Sequence, residues 1–154
     1  MREKSQFFTM CVGFLAMLCI LSVARAGPTS PEREAEQILD ATGVRGGLIV
    51  HVGCGDGKLT AALRVSDSYT VHGLEADPAK VAQARSYILT QGIYGPVSVE
   101  NYSGSVLPYA DNLINLVVMQ DAGKLPMDEV MRVLAPGGVA CVQHNGKWEK
   151  TVKT

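Results

Sequence analysis

The chain has 154 residues, with 14 lysine and arginine residues against 15 aspartate and glutamate residues and a formal net charge of −1 at pH 7. This length fits one domain of ordinary size. The basic residues are not clustered, so the charge pattern argues against a nucleic-acid surface. Two of the four cysteines lie in the N-terminal segment, and the remaining pair, Cys54 and Cys141, is too few for a disulfide scaffold. No histidine or cysteine pair has the spacing of a zinc site.

Residues 1–26 have the layout of a secretory signal peptide. A positively charged start and an apolar run over residues 7–23 precede a small-residue cleavage site at 24–26, which Gly27 follows. The sequence therefore predicts cleavage before Gly27 and a secreted or periplasmic protein. An uncleaved membrane anchor is the alternative, because the apolar run is close to the lower limit for spanning a bilayer. In both cases the domain lies outside the cytoplasm.

The helices of the remaining chain are predicted mainly from their ends. Residues 27–46 are predicted to form a linker and a first helix, because Ser30 can cap a helix that begins with proline and ends before Gly43. An Asp-Pro pair likewise predicts a helix from Pro78 through Thr90, with Asp77 as its N-cap. Shorter helices are predicted at 58–64 and 128–135.

Five segments have the length and apolar content of strands. They are residues 47–53, 69–75, 97–102, 114–120 and 139–143. Strands that alternate with helices predict an α/β, Rossmann-like fold, in which right-handed crossovers build a parallel sheet with helices on both faces. The third segment alternates apolar and polar residues and is expected near a sheet edge.

Three glycines, Gly53, Gly55 and Gly57, directly follow the first predicted strand. Ligands of parallel α/β sheets bind at the carboxyl ends of the strands, and glycine lets the backbone approach them closely. The spacing does not fit a dinucleotide fingerprint, which places its third glycine three residues after the second. Glu75 ends the second strand about 20 residues downstream, where a carboxylate accepts hydrogen bonds from a ribose. These residues predict an adenosine ligand without a pyrophosphate.

Four segments in this order resemble the class I S-adenosylmethionine-dependent methyltransferases of the small-molecule type, often called type 11. The segments are VHVGCGDG, VHGLEADPAKVAQAR, LPYADNLINLVVMQD and EVMRVLAPGGVACV. The resemblance implies a methyltransferase-like domain over residues 47–143, S-adenosylmethionine as cofactor and a small-molecule methyl acceptor. It implies cofactor-binding roles for His51, Gly53, Cys54, Gly55, Gly57, Glu75, Ala76, Ser103, Gly104 and Gln120.

The sequence departs from the family at three positions that are usually acidic. They are His51, before the first glycine, Ser103, after the third strand, and Asn115, in the fourth strand. The departures predict weakened cofactor binding. A hydrogen-bonded core histidine is the alternative role for His51, and a small apolar filler is the alternative for Cys54. No catalytic base is assigned, and Asp121 is expected to be an exposed loop acid.

The C-terminal residues 144–154 are expected to be a polar tail. The family fold normally continues with an antiparallel pair of strands, so the sequence predicts an incomplete domain whose fifth strand is an unprotected edge. The tail also resembles the junction to a pyrroloquinoline-quinone-type β-propeller, which implies a C-terminal fusion domain or an edge-strand partner. Two functions stay open: a methyltransferase, or an exported non-catalytic binding or scaffold module with the same fold.

Overall fold

The computed structural model describes residues 30–120 and 125–154. Within them, six strands form one sheet in the order β3-β2-β1-β4-β5-β6. The strands are β1 Gly47–Val52, β2 Tyr69–Glu75, β3 Val97–Asn101, β4 Ile114–Met119, β5 Leu134–His144 and β6 Lys147–Val152. The helices are α1 Pro31–Thr42, α2 Lys58–Ala62, α3 Pro78–Thr90 and α4 Met127–Val133. Strands β1 to β5 pair in parallel, which confirms the predicted Rossmann-like α/β fold.

Both helices predicted from their caps begin where the sequence places them. The Ser30 side chain accepts a hydrogen bond from the Arg33 N–H at the start of α1. The Asp77 carboxylate accepts one from the Ala79 N–H at the start of α3, at 2.9 Å. These bonds satisfy N–H groups that have no partner inside the helix. β3 lies at one edge of the sheet, which confirms the expectation from its alternating pattern.

The sheet is covered on both faces, and the two faces are covered differently. Helices α1, α2 and α3 pack on the face that carries Ile49 and Val71. Helix α4 packs on the other face, which carries Val50 and Val117. Part of this second face is covered by the segment 102–113, which connects β3 to β4 without a helix and buries Leu107.

The expectation of a polar tail after an unprotected fifth strand is wrong. Residues 147–152 form β6, which pairs antiparallel with β5 through a two-residue turn at Asn145 and Gly146. Both turn residues have positive φ, 50° and 76°, as a tight hairpin turn requires. The half-buried Trp148 packs against the core under α1. β5 therefore lies between β4 and β6 and is not an edge strand.

β5 also begins earlier than predicted. α4 ends at Val133, and the strand starts at Leu134. The Pro-Gly-Gly segment at 136–138 is part of this strand and pairs with Lys153. The Gly137 N–H donates to the Lys153 carbonyl oxygen, and the Lys153 N–H donates to that of Gly138, both at 2.9 Å.

Two predicted features lie outside the described residues. They are the signal peptide at 1–26 and the loop acid Asp121. Among the helices that the structure describes, none is both long and apolar enough to cross a membrane.

Candidate functional site

The glycine loop between β1 and α2 lies at the carboxyl edge of the sheet. Its start is fastened to the neighbouring strand, because the N–H groups of Gly53 and Cys54 both donate to the Leu74 carbonyl oxygen, at 2.8 and 3.1 Å. Gly53, Gly55 and Gly57 have φ values of 73°, 56° and 78°. L-residues with a side chain rarely adopt this left-handed conformation, so the path of the loop depends on its glycines.

The three glycines border different surroundings. A Cβ atom built on Gly53 or Gly55 would have no atom within 4 Å, whereas one on Gly57 would lie 2.8 Å from the Cβ of Ala84 in α3. Gly53 and Gly55 therefore face open space in which a ligand can approach the backbone. Gly57 is instead the point at which α3 packs against the loop.

Glu75 ends β2 beside the loop and is only 8% exposed. Its Oε2 accepts a hydrogen bond from the Gly55 N–H at 2.8 Å, and its Oε1 accepts one from the Asp77 N–H at 3.1 Å. A carboxylate oxygen can accept two hydrogen bonds. Each oxygen of Glu75 is thus held in place and can still accept one hydroxyl, which suits the two hydroxyls of a ribose.

Asn101 supports this acidic residue from β3. Its Nδ2 donates to the carbonyl oxygens of Glu75 and Ala76, at 3.1 and 3.0 Å. The Tyr102 N–H also donates to the Glu75 carbonyl oxygen, at 2.8 Å. These bonds fix the backbone at the end of β2 and leave Ala76 exposed at the rim of the site. Asn101 was not predicted as a site residue, although its place at the carboxyl end of a predicted strand was a signal for one.

The remaining predicted contacts follow β3 and β4 at the same edge. Ser103 and Gly104 are exposed after β3, and Gln120 is exposed after β4. A Cβ atom on Gly104 would lie 3.2 Å from the ring of Tyr102. Gly104 therefore leaves room for an aromatic side chain of this protein, and its backbone remains at the surface.

His51 lies in β1 below the glycine loop and is 1% exposed. Its Nδ1 is 2.9 Å from the hydroxyl of Thr60 in α2, and its buried Nε2 has no hydrogen-bond partner. Burial lowers the pKa of His51 to about 4, although the nearby Glu75 carboxylate acts to raise it. The ring is therefore neutral at pH 7. A purely structural histidine explains the Thr60 contact but leaves Nε2 unsatisfied.

Cys54 fills space between the loop and β2. It is 5% exposed, and a Cβ atom on Gly73 would lie 2.9 Å from its Sγ. Burial raises the pKa of the Cys54 thiol to about 12, the Glu75 carboxylate adds to this rise, and a hydrogen bond with Thr60 opposes it. The thiol is protonated at neutral pH and closed to solvent, which favours the role of a small apolar filler.

Asn115 is distant from this site. Its Oδ1 accepts a hydrogen bond from the Leu48 N–H at 2.9 Å, near the amino ends of β1 and β4. A Cβ atom on Gly47 would lie 2.1 Å from the same Oδ1. Asn115 therefore ties two strands together at the opposite end of the sheet, and its amide does not weaken a contact with the cofactor.

The charged residues of the loop do not form a metal centre. Asp56 accepts a hydrogen bond from the Lys58 N–H at 3.1 Å and forms an ion pair with Lys58 Nζ at 2.9 Å. Both contacts stabilise the start of α2. Across the described segments, no group of three or more histidine, cysteine, aspartate or glutamate residues is placed to hold a metal ion.

The parallel sheet, the open glycine loop and the acidic residue at the end of β2 define the class I S-adenosylmethionine-dependent methyltransferase fold. A family model described as "Methyltransferase domain" matches residues 49–138, which is more than half of the chain. The chain belongs to this methyltransferase family.

Individual relatives agree with this assignment. The chain is 32% identical over 115 residues to Methyltransferase GfsG from Streptomyces halstedii, which covers 70% of this chain and 41% of the relative. A protein from Methanococcus maripaludis described as a candidate S-adenosyl-L-methionine-dependent methyltransferase superposes with a TM-score of 0.67 at 21% identity, covering 77% of this chain and 57% of that chain. The [4+2]-cyclase SpnF superposes with a TM-score of 0.65 at 25% identity, covering 72% and 43%. This chain thus spans roughly half the length of the proteins that it matches.

Proposed function

We propose that the domain binds S-adenosylmethionine and transfers its methyl group to a small-molecule acceptor. The observation that carries this proposal is the geometry of Glu75, whose carboxylate oxygens are held by the N–H groups of Gly55 and Asp77 beside the open backbone of the glycine loop. A fixed carboxylate with one free acceptor site on each oxygen fits the two adjacent hydroxyls of a ribose. Because Gly53 and Gly55 have no side chains, the space beside them can hold the rest of the ligand.

The other residues at this edge have positions that suit an elongated ligand. Ala76, Ser103 and Gly104 follow β2 and β3 and are exposed, so they can flank an adenine ring attached to the ribose. Gln120 follows β4 on the opposite side of β1, where the acceptor would approach. When bound, S-adenosylmethionine supplies a methyl group on a sulfonium centre. The contribution of this chain is to hold the cofactor and the acceptor in line, which is catalysis by proximity and orientation.

The variant Glu75→Ala tests the proposal directly. Charge-assisted hydrogen bonds contribute about 1.5 to 3 kcal/mol each, so the variant should bind S-adenosylhomocysteine at least roughly tenfold more weakly. Titration calorimetry on the full chain measures the affinity. Glu149→Ala is the matched control, because Glu149 is an exposed carboxylate on β6. Equal affinities for the parent and Glu75→Ala, or no binding by the parent at millimolar cofactor, would contradict the proposal.

An exported binding or scaffold module without catalysis is the second candidate function. It is favoured by His51 and Ser103, which stand where the family usually has acidic residues. The similarity to a protein named for a cyclisation reaction also indicates that the fold serves more than methyl transfer. A transfer assay with a radiolabelled methyl group and a panel of small-molecule acceptors separates the two. Label that enters an acceptor with the parent and not with Glu75→Ala supports the enzyme; cofactor binding with no transfer supports the module.

Export is part of the proposed function. The charged start, the apolar run and the small-residue site at 24–26 support cleavage before Gly27 and a secreted or periplasmic domain. An uncleaved segment would instead anchor the domain to the outer face of a membrane. N-terminal sequencing of the exported protein should begin at Gly27, and a product that begins at Met1 would contradict cleavage.

The C-terminal fusion to a β-propeller is a further part of the proposal. It is supported by the resemblance of the last residues to such a junction. Because β6 belongs to the sheet, an added domain would begin after Val152, and a partner strand would pair with the free edge of β6. Sequencing of the complete transcript tests the fusion, and a stop codon directly after Thr154 would contradict it.

A further inference from the structure

Two residues of α4 hold the segment 102–113, which connects β3 to β4 without a helix. Glu129 Oε1 accepts a hydrogen bond from the Leu107 N–H at 2.7 Å, and Arg132 Nη2 donates one to the Leu107 carbonyl oxygen at 3.1 Å. Glu129 and Arg132 also form an ion pair, the α4 ion pair, with hydrogen bonds of 2.9 and 2.7 Å between them. The α4 ion pair therefore bonds both backbone groups of Leu107, as a neighbouring strand would.

The α4 ion pair is only partly exposed, which strengthens its hold. The side chains of Glu129 and Arg132 are 13% and 32% exposed, and Leu107 is buried in the same core cluster as Val130 and Val133 of α4. The hydrogen bond from Arg132 lowers the pKa of Glu129, so this carboxylate is charged at neutral pH. Hydrogen bonds that involve charged groups are shorter and stronger than neutral ones. These bonds therefore fix Leu107 against α4.

Arg132 also holds the segment beyond Leu107. Its Nη1 donates to the Tyr109 carbonyl oxygen at 3.0 Å and forms an ion pair with the Asp111 carboxylate. Its own carbonyl oxygen accepts a hydrogen bond from the Asn112 N–H at 3.0 Å. The second half of the segment is therefore fastened to α4 largely through Arg132.

The exposed loop 103–106 lies between this hold and the ribose contact. At its start, the Tyr102 N–H donates to the Glu75 carbonyl oxygen at 2.8 Å, and at its end Leu107 is held by the α4 ion pair. All the residues between these two ends are exposed, so packing does little to fix them. The path of the loop therefore depends on its two ends. Its first two residues are those that would flank an adenine ring.

We propose that Glu129 and Arg132 are positioning residues, which hold Leu107 and thereby keep the loop 103–106 in the conformation that binds the cofactor. The inference rests on the proposed function, because it assumes that the cofactor lies beside Glu75 at the carboxyl edge. Without the α4 ion pair the loop would have one fixed end, and binding would have to order it. The apparent affinity then falls in proportion to the fraction of molecules whose loop is competent to bind.

The variant Arg132→Gln removes the charge that fastens Leu107, and it should weaken S-adenosylhomocysteine about tenfold in titration calorimetry on the full chain. Arg85→Gln is the matched control and should change the affinity less than about twofold. Arg85 also pairs with a carboxylate, that of Glu100, and donates to the Val99 carbonyl oxygen at 2.7 Å, but it does so on the edge strand β3. Circular dichroism at the temperature of the titration checks that each variant is folded.

Hydrogen exchange separates positioning from a general loss of stability. In Arg132→Gln without ligand, amide exchange should speed up far more in the loop 103–106 and at Leu107 than in β1 and β4. Saturation with S-adenosylhomocysteine should slow the loop again to the rate of the parent complex. An equal increase throughout the sheet would show that Arg132 only stabilises the fold, and the inference would be overturned.

If Arg132→Gln does not fold, two further measurements decide. Glu129→Gln keeps the shape and an acceptor oxygen for Leu107 but loses the ion pair, so it should weaken S-adenosylhomocysteine about three- to fivefold. In the parent, this ligand should slow exchange of the Leu107 amide, because coupling between the loop and the ligand is reciprocal. The Gly43 amide, which donates to the Leu39 carbonyl oxygen at the end of α1, should not respond.

The outcomes separate this inference from the proposed function. The inference is overturned if the folded α4 variants bind S-adenosylhomocysteine within about twofold of the parent, if Arg85→Gln weakens binding equally, or if the Leu107 amide does not respond to the ligand. If Glu75→Ala still weakens the ligand in that case, the proposed function stands. If the parent does not bind the ligand, the proposed function itself fails, and this inference fails with it.

Discussion

Glycines lie at both ends of the sheet, and the space beside them differs between the two ends. At the carboxyl end, Gly53 and Gly55 face open space, and no atom would meet a Cβ there. At the amino end, Gly47 has no room for a side chain, because the Asn115 side chain occupies the space. A Cβ atom built on Gly47 would lie 2.1 Å from Asn115 Oδ1. Gly53 and Gly55 are open at the carboxyl ends of the strands, where ligands of parallel α/β sheets bind, whereas Gly47 is closed by packing. This difference favours the carboxyl end as the ligand-binding end of the sheet.

We expect the largest loss of stability for Gly47→Ala, at the amino end of the sheet. The new Cβ must displace Asn115, break its hydrogen bond to the Leu48 N–H and tolerate a φ of 94°. We expect a loss of about 3 to 5 kcal/mol in the free energy of unfolding, measured with urea. In an Asn115→Ala background the same substitution should cost much less. An equal cost in both backgrounds would show that Asn115 is not the cause.

At the carboxyl end, the buried His51 should make the stability of the protein depend on pH. The pKa of His51 is about 4 in the folded chain, below its ordinary 6.5, because the ring is buried. Between these values the unfolded chain binds a proton at this position and the folded chain does not. Stability should therefore fall by up to about 3 kcal/mol as the pH is lowered from 6.5 through 4. Urea unfolding at a series of pH values measures this, and His51→Gln should remove this part of the dependence. An unchanged pH dependence in the variant would contradict the assignment.

Gly57→Ala should have an intermediate effect, because this loop glycine is packed rather than open. Its Cβ would lie 2.8 Å from the Cβ of Ala84, at a φ of 78°. We expect a loss of about 2 kcal/mol in the free energy of unfolding. Adding Ala84→Gly should relieve the collision, so that the double variant is more stable than the sum of the single changes predicts. Strict additivity would mean that α3 does not constrain the loop.

The smallest change in stability is expected for Gly55→Ala, and it gives the sharpest test of function. Gly43, after α1, is its matched control, because both glycines have positive φ, 56° and 73°, and open surroundings. Each change to alanine should cost about 1 to 2 kcal/mol. Only Gly55→Ala should also weaken S-adenosylhomocysteine, by at least roughly tenfold. If the two variants lose the same stability and neither loses affinity, the open space at Gly55 is not a ligand site.

The fold was predictable where its signals are local. The capped starts of α1 and α3 and the bounds of β2 follow from neighbouring residues, and all of them are confirmed. β6 was missed because its charged residues are typical of a solvated tail and its pairing partner is another strand. Its turn is nevertheless Asn145-Gly146, and this dipeptide between two extended segments is a strong hairpin signal. Greater weight on that turn would have predicted the strand.

In the candidate site, too, the features set by local sequence were predictable and those set by packing were not. The acidic position Glu75 and the open glycines Gly53 and Gly55 follow from the motif and its place after a strand. The contact between Gly57 and α3, and the hydrogen bond between His51 and Thr60, depend on how helices settle on the sheet. Such contacts join residues through packing, and sequence spacing does not specify them.

Two lysines, Lys150 in β6 and Lys153 directly after it, form hydrogen bonds with residues that are synthesised much earlier. Lys150 Nζ donates to the Ala41 carbonyl oxygen at the end of α1 across 109 residues of sequence, and Lys153 Nζ donates to the Asn112 side chain before β4. At synthesis rates of about 5 to 20 residues per second, Lys150 is added on the order of 5 to 20 s after Ala41, with which it forms this hydrogen bond. These contacts with α1 and with the segment before β4 therefore form only after translation has passed Lys153.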